Sequence, residues 1–320
     1  MRALVCENYG APEVLQLREL PRPQPKKGEV LVQVAALSLN TSDWECVTGQ
    51  PFYVRVYGLF RPKQPILGSD ITGRVVALGE GVESLQLGDE VFGDAMGTFG
   101  GFAEYVAVPE KVLAKKPSSV SFEQAATLPQ AAVIALQALR QGGGVTAGQK
   151  VLINGAGGGS GMFAIQMAKN AGAEVTGVDN AQKQEHMLAL GADHVFDYRE
   201  VDFTKTTQQY DLVIDLVGRR SVFAHRRALR RGGCYTMVGG SMSSLLQNLL
   251  LGPIVGFFTR TKMGILVVEP DHRDIEVILG LIEEGQIRVL IDKRFPLTET
   301  AAALSYLGQG SVLGKVVIEV

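Results

Sequence analysis

The chain has 320 residues, 46% of them apolar and 20% charged, with 38 glycines; this is the composition of a globular α/β protein rich in tight turns, and it excludes a disordered or fibrous chain. Its 31 basic and 33 acidic residues leave a formal net charge of −2, and no run of Lys or Arg makes the cationic footprint that phosphate backbones need, so nucleic acid is excluded as a partner. The length is about twice that of a usual single domain, so two domains are expected.

The opening MRALVCENYG enters a strand-like run without the basic head and long apolar stretch of a signal peptide, so a cytoplasmic location is expected. Cys6, Cys46 and Cys234 lie far apart with no CxxC pair, which fits a reducing compartment and three small buried hydrophobes. As far as about residue 118, short β-branched runs such as 30–34 and 72–77 alternate with Gly and Pro clusters, the pattern of a β-rich, barrel-like unit. From Phe122 onward, apolar strands alternate with helical patterns, as in a parallel sheet flanked by helices. Strands are expected at Lys150–Asn154, 174–178, 194–196, 211–216, 234–238 and 264–268, which suit a doubly wound sheet.

Residues 245–258 form the most apolar segment. It reads as a connection, too short to span a bilayer and interrupted by Gln247, Asn248, Gly252 and Pro253; a dimer contact and a pocket wall for a long, lipid-like substrate are the two roles open to it. A helix over 273–284 stops at Gly285, and the tail returns to strand-like runs at 288–291 and Lys315–Glu319. The tail is expected to rejoin the first domain, giving boundaries of 1–120 with 286–320, and 121–285.

The strongest local pattern is KVLINGAGGGSGMFAIQMAKNAGAEVTGVDN, residues 150–180. Residues 151–154 read as a buried strand, and Ala164, Met167, Ala168 and Ala171 recur at helical spacing. Between them Gly155, Gly158 and Gly161 make a turn whose missing side chains let backbone amides approach a pyrophosphate at a helix N-terminus; Ala156, Gly159 and Ser160 share it. Asp179, with Asn180 after it, ends the second strand, where a carboxylate bonds the adenosine ribose and repels a 2′-phosphate, favouring NADH. Lys183 offers a cation to that phosphate or is a solvated helix residue, so NADPH stays open.

Several further stretches, GEVLVQV (28–34), LGSDITGRVVALGEG (67–81), GDEVF (88–92), GFAEYVAV (101–108), LGADHVFDY (190–198) and GKVVI (314–318), together resemble the medium-chain dehydrogenase/reductase superfamily over essentially the whole length. The resemblance implies a GroES-like catalytic domain split between both chain ends and a Rossmann-type domain inserted between them. Zinc-dependent alcohol dehydrogenases of that superfamily carry Cys, His-Glu and Cys where this chain has Asn40, Ser69 with Asp70, and Gln130, none a good soft ligand. The chain is therefore closest to the zinc-free quinone and enone oxidoreductase branch, in which Asn at the Asn40 position is usual, and a metal-free protein is expected.

In that branch the expected chemistry is hydride transfer from NAD(P)H to a quinone or an α,β-unsaturated ketone, a small-molecule substrate. Asn40 is the candidate for orienting the acceptor or the nicotinamide ribose, and Tyr53 a pocket hydrogen-bond donor; Asn40 as a helix cap and Tyr53 as a surface aromatic are the plainer readings. Gly218, Val238, Gly239 and Gly240 fall at carboxyl ends of strands and are expected to line the nicotinamide side, and Tyr198 the adenosine end. A homodimer follows from the resemblance. Two other functions stay open: reduction of an enoyl thioester, with Arg55, Arg61 and Lys63 as a cationic mouth, and a non-catalytic NAD(P)H-binding sensor.

Overall fold

A computed structural model describes residues 1–269 and 271–320. The chain divides into two compact units, Met1–Gln130 with Ile291–Val320, and Ala131–Leu290. Both divisions fall later than the sequence pattern places them. The short helix after Ser121 packs on strands of the first unit, and Arg288 is held in the second by Gln166, whose side chain bonds both its N–H and its carbonyl. Those bonds also keep residues 288–290 out of a strand.

The first 130 residues form β1 (Arg2–Val5), β2 (Gln16–Glu19), β3 (Glu29–Leu39), α1 (Thr41–Thr48), β4 (Asp70–Leu78), β5 (Glu90–Asp94), β6 (Tyr105–Pro109), β7 (Leu113–Lys115) and α2 (Phe122–Ala126). The chain then runs through α3 (Ala131–Arg140), β8 (Lys150–Asn154), α4 (Gly159–Asn170), β9 (Glu174–Asp179), α5 (Gln184–Ala189), β10 (His194–Asp197), β11 (Tyr210–Asp215), α6 (Val222–Ala228), β12 (Leu229–Met237), α7 (Met242–Thr259), β13 (Lys262–Ile265) and α8 (His272–Glu283). It closes with β14 (Ile291–Pro296), α9 (Thr300–Gly308) and β15 (Lys315–Glu319).

In the 131–290 unit the sheet order is β10-β9-β8-β11-β12-β13, all parallel. The order reverses at β8, which makes the carboxyl end of β8 the switch point where such sheets bind ligands. α4 is buried from Gly161 to Ala168 because it packs on both the sheet and α3; Ala171, read as a packing residue, is its exposed C-cap instead.

The other unit is a largely antiparallel sheet, β14-β15-β3-β4-β5-β7 with β6 also on β3. β15 pairs antiparallel with β3, Val316 opposite Leu39, and this register sets Lys315 opposite Asn40. Its core is built on Leu37, Leu39, Ile71 and Phe102.

Residues 245–258 are not a connection but part of α7, an 18-residue helix after an N-cap at Ser241. Its inward face is Ser244, Asn248, Gly252 and Gly256, packed toward Thr261 and Met263, with Leu245, Leu251 and Val255 partly buried against the core, while Leu246, Leu249, Leu250, Ile254, Phe257 and Phe258 are exposed. By length and composition alone the helix is long and apolar enough to cross a membrane. The expected strand at 264–268 is shifted to Lys262–Ile265, since α7 is followed by a sharp turn at Arg260.

Candidate active site

At the carboxyl end of β8 the chain turns through Gly155, whose φ of +89° strongly favours glycine. Gly158 is the N-cap of α4 and offers no side-chain cap, so the first-turn amides of Gly159, Ser160 and Gly161 point outward without an intrahelical partner. A Cβ on Gly161 would lie 2.4 Å from the Ala156 carbonyl oxygen, so only glycine lets the helix approach the turn this closely. Uncapped amides at the positive end of a helix dipole form an anion site.

Asp179 ends β9 beside that turn. One carboxylate oxygen accepts the Gly157 N–H at 3.0 Å and the other the Asn180 N–H at 2.9 Å. Lys183 is not solvated: it is buried beneath Gly157, its Nζ 3.6 Å from Asp179 Oδ1. Tyr198 is half-exposed, and its N–H donates to the Asp179 carbonyl at 3.0 Å. The structure thus brings together the glycine turn, Asp179, Asn180, Lys183 and Tyr198.

The turns after β11 and β12 meet, since a Cβ on Gly218 would lie 2.5 Å from the Gly239 oxygen and 2.8 Å from Gly240 Cα. Asp215, which the sequence reading missed, fixes this junction. Its Oδ1 accepts the Asn154 side chain at 2.7 Å and the N–H groups of Val217 and Gly218 at 3.1 and 3.0 Å. Its Oδ2 accepts the Tyr235 hydroxyl at 3.0 Å and lies 3.1 Å from His225 Nε2. Burial opposes ionisation of Asp215, but His225 and these donors outweigh it and hold the carboxyl at about 2.

In the other unit Asn40 sits in a buried polar cluster. Its Oδ1 accepts from Lys315 Nζ at 2.5 Å, and its Nδ2 donates to Asp70 at 2.8 Å and Ser69 at 3.4 Å. Asp43 accepts the N–H groups of Asn40 and Ser69 and the Ser69 hydroxyl. Asp70 also accepts from Ser38 at 3.0 Å and lies 3.7 Å from Lys315, yet its Oδ1 has no hydrogen-bond partner. Gln130 bridges Ser42 to Asp94. Burial pushes Asp43 up to about 6, raises Asp70 and Asp94, and lowers Lys315; the lysine's attraction opposes the rise in all three acids.

Tyr53 bonds elsewhere, with its hydroxyl 3.5 Å from Glu45, whose carboxyl burial pushes up to about 7. Arg55 is committed to the Gly49 carbonyl and the Tyr9 ring, which removes it from a phosphate mouth. Cys6, Cys46 and Cys234 are buried free thiols, the first two pushed by burial to about 11 and about 12.

Residues 26–118 match the alcohol dehydrogenase GroES-like domain family, and residues 190–318 match a family described as zinc-binding dehydrogenase. The chain is 30% identical to the chloroplast envelope quinone oxidoreductase homolog of Arabidopsis thaliana, over 100% of this chain and 98% of that protein. It is 30% identical to that plant's chloroplastic NADPH-dependent alkenal/one oxidoreductase, over 99% of this chain and 79% of that protein. The solved quinone oxidoreductase of Coxiella burnetii superimposes with a TM-score of 0.89 at 31% identity, covering 100% and 99% of the two chains. This chain belongs to the zinc-free quinone and enone oxidoreductase branch of the medium-chain dehydrogenase/reductase superfamily.

The reductase's own residues fit a dinucleotide, because the glycine turn is a cradle that a Cβ would fill and α4 has no cap of its own. They do not fit the zinc that one matched family's description names. Asn40, Ser69, Asp70 and Gln130 offer no thiolate or imidazole, and the Lys315 ammonium already lies beside Asn40 and Asp70. No group of three or more His, Cys, Asp or Glu side chains in metal-binding array occurs among the described residues.

Lys315 falls in the GKVVI run with no role assigned from sequence, and Asp43 was not singled out. The N-cap to N3 spacing of Asn40 and Asp43 was the available signal for the second.

Proposed function

We propose that the reductase transfers hydride from NAD(P)H to a quinone or an α,β-unsaturated ketone without zinc. The observation that carries this is the uncapped N-terminus of α4 behind the glycine turn, at the switch point of the sheet. The names of the plant relatives, quinone oxidoreductase homolog and alkenal/one oxidoreductase, support the same acceptor class.

The dihydronicotinamide supplies the hydride. The amides of residues 159–161 would hold the pyrophosphate, Asp179 and Tyr198 the adenosine end, and the turns at Gly218 and 238–240 the nicotinamide side. Asn40, held rigid by Lys315 and Asp70, would orient the acceptor or the nicotinamide ribose, and Tyr53 would become the pocket donor by exchanging its Glu45 contact for the acceptor oxygen.

NADH is the preferred donor in this reading. Asp179 stands at the ribose position and the Lys183 charge faces Asp179, which favours NADH; exposed Arg199 beside Tyr198 is the cation that a 2′-phosphate would meet. The second reading, NADPH, draws on the cofactor in the name of the alkenal/one reductase. The three buried thiols support a cytoplasmic location, and the open outer edge of β13 supports a homodimer.

The test is titration of NADH and NADPH by fluorescence in the presence of EDTA, followed by turnover with ortho- and para-quinones and medium-chain enones. Turnover in EDTA is the expected result. Saturable cofactor binding with no turnover on any acceptor would favour the sensor reading instead, and activity restored only by added zinc would overturn the metal-free one.

A further inference from the structure

α7 has more apolar surface than its packing uses: Leu245, Leu251 and Val255 lie partly buried against the core, and a second apolar set faces away from it. In a surface helix of a water-soluble domain the apolar stripe faces the core. Here Ser244, Asn248, Gly252 and Gly256 are buried, and Leu246, Leu249, Leu250, Ile254, Phe257 and Phe258 are exposed. The exposed set recurs every three or four residues, so it forms one stripe along the helix, about 18 Å from Leu246 to Phe258 at 1.5 Å per residue. Phe257 and Phe258 are 80% and 79% exposed and pack edge to face on each other.

Charge around the stripe is equally one-sided. Residues 216–268 contain eight Lys and Arg and no Asp or Glu, although the whole chain is nearly balanced. The fold places four of these cations near the two ends of the stripe, while Arg220 and Arg230 pair with Asp202 and Asp211. Arg260 caps α7 just past Phe258, and its carbonyl accepts the Gly232 N–H at 2.8 Å, which places Arg231 beside it; Lys262 follows on β13. At the other end the Ser241 N–H donates to the Gly218 carbonyl, with exposed Arg219 next in the chain. Arg219, Arg231, Arg260 and Lys262 have no carboxylate partner among the described residues. A helix dipole favours a cation or two at its C-terminus, but it gives no reason for an acid-free stretch of this length.

We propose that α7 is an interfacial anchor that lays this reductase on an anionic lipid bilayer. The apolar stripe enters the headgroup boundary, and the basic rim meets anionic headgroups. The helix lies flat rather than crossing, because its polar and glycine face is already packed in the protein against the chain at Thr261 and Met263. A dimer formed by antiparallel pairing of two β13 edges would be compatible, since its axis runs normal to the sheet and turns both stripes to the same side.

The experiment is flotation of the purified full chain with vesicles of phosphatidylcholine alone, or with about 30 mol% phosphatidylglycerol, alongside sedimentation of the chain without lipid. Vesicle association is independent of turnover, so it is read whether or not any acceptor is reduced. The expected result is binding to anionic vesicles that weakens with salt. Phe257→Ser with Phe258→Ser should reduce it by about tenfold or more. Arg231→Gln with Lys262→Gln should abolish the preference for anionic lipid, and both variants should keep wild-type cofactor binding, since all four residues are exposed. Three results would overturn the proposal: no vesicle binding, with a dimer that the Phe substitutions dissociate, which would make a second copy the occupant; no vesicle binding and no dimer; or binding that neither pair of substitutions changes.

Discussion

Lys315 and Asn40, 275 residues apart in sequence, meet at 2.5 Å between ammonium and side-chain oxygen. The β15–β3 register makes the meeting possible, and burial makes it consequential, because the ammonium pulls on Asp43, Asp70 and Asp94 alike. Replacing Lys315 by Met strands the buried carboxylates, and breaking such a pair from one side costs about 3–5 kcal/mol. Urea unfolding should show that loss for Lys315→Met. It should show less than the sum of the two single losses for Lys315→Met with Asp70→Asn, because the two residues share one interaction. Additive losses would mean that the pair is not coupled.

The same cluster sets a pH dependence. Asp43 holds its proton up to about 6 in the folded chain, above its ordinary value of 3.8. Between those limits the native state binds more protons than the unfolded one, so stability is fully present below the unfolded value and falls as pH rises toward 6, by up to about 1.4 kcal/mol per pH unit. Unfolding free energies measured between pH 4 and 7 should show this slope in the wild type, and Asp43→Asn should flatten it. An unchanged slope would place the titrating group elsewhere in the cluster.

How much of this was legible in the sequence divides along physical lines. The glycine turn was legible because its geometry needs particular residues in a short local run, and Lys150 to Asp179 fold as one strand, turn, helix and strand. The Lys315–Asn40 contact was not, because only long-range strand register creates it. Asp215 looked like one more strand residue until its oxygens were seen to collect five donors or close neighbours. α7 was read as a connection because Gln247, Asn248, Gly252 and Pro253 interrupt its apolar run, whereas in the fold Asn248 and Gly252 are the inward face of one continuous helix.

The glycine turn makes a graded prediction. A Cβ on Gly161 would meet backbone oxygens at 2.4 and 2.5 Å, which cannot move without opening the turn, whereas one on Gly157 would meet the Lys183 side chain, which can shift. Gly161→Ala should therefore weaken cofactor binding by at least about tenfold, a loss near 1.4 kcal/mol, and Gly157→Ala by clearly less. Fluorescence titration reads both, and equal losses would contradict the close approach of helix and turn.

Asp179 and Lys183 predict a switch of cofactor. Asp179→Ser removes the carboxylate expected to repel a 2′-phosphate and releases the Lys183 ammonium held 3.6 Å from it. Affinity for NADPH should rise by about tenfold and affinity for NADH fall by a similar factor, again near 1.4 kcal/mol each. If Asp179→Ser leaves the ratio of the two dissociation constants unchanged, the specificity lies outside this pair.

Asp215 joins stability to the nicotinamide-side turn. Its carboxyl is held at about 2, below the ordinary 3.8, so the stability it contributes is present above the ordinary value and is lost as pH falls through about 2. Asp215→Asn puts an amide donor where two backbone N–H groups and the Asn154 amide now converge, and a cost of about 3 kcal/mol is expected from losing hydrogen bonds to a buried charge. The turn at Gly218 would loosen with it, so cofactor affinity should fall even under conditions where the variant is fully folded. Measuring both separates the two consequences. A variant that is destabilised but binds NADH with wild-type affinity would show that Asp215 supports the fold alone, and one that loses binding as well would show that the junction of the β11 and β12 turns shapes the cofactor site.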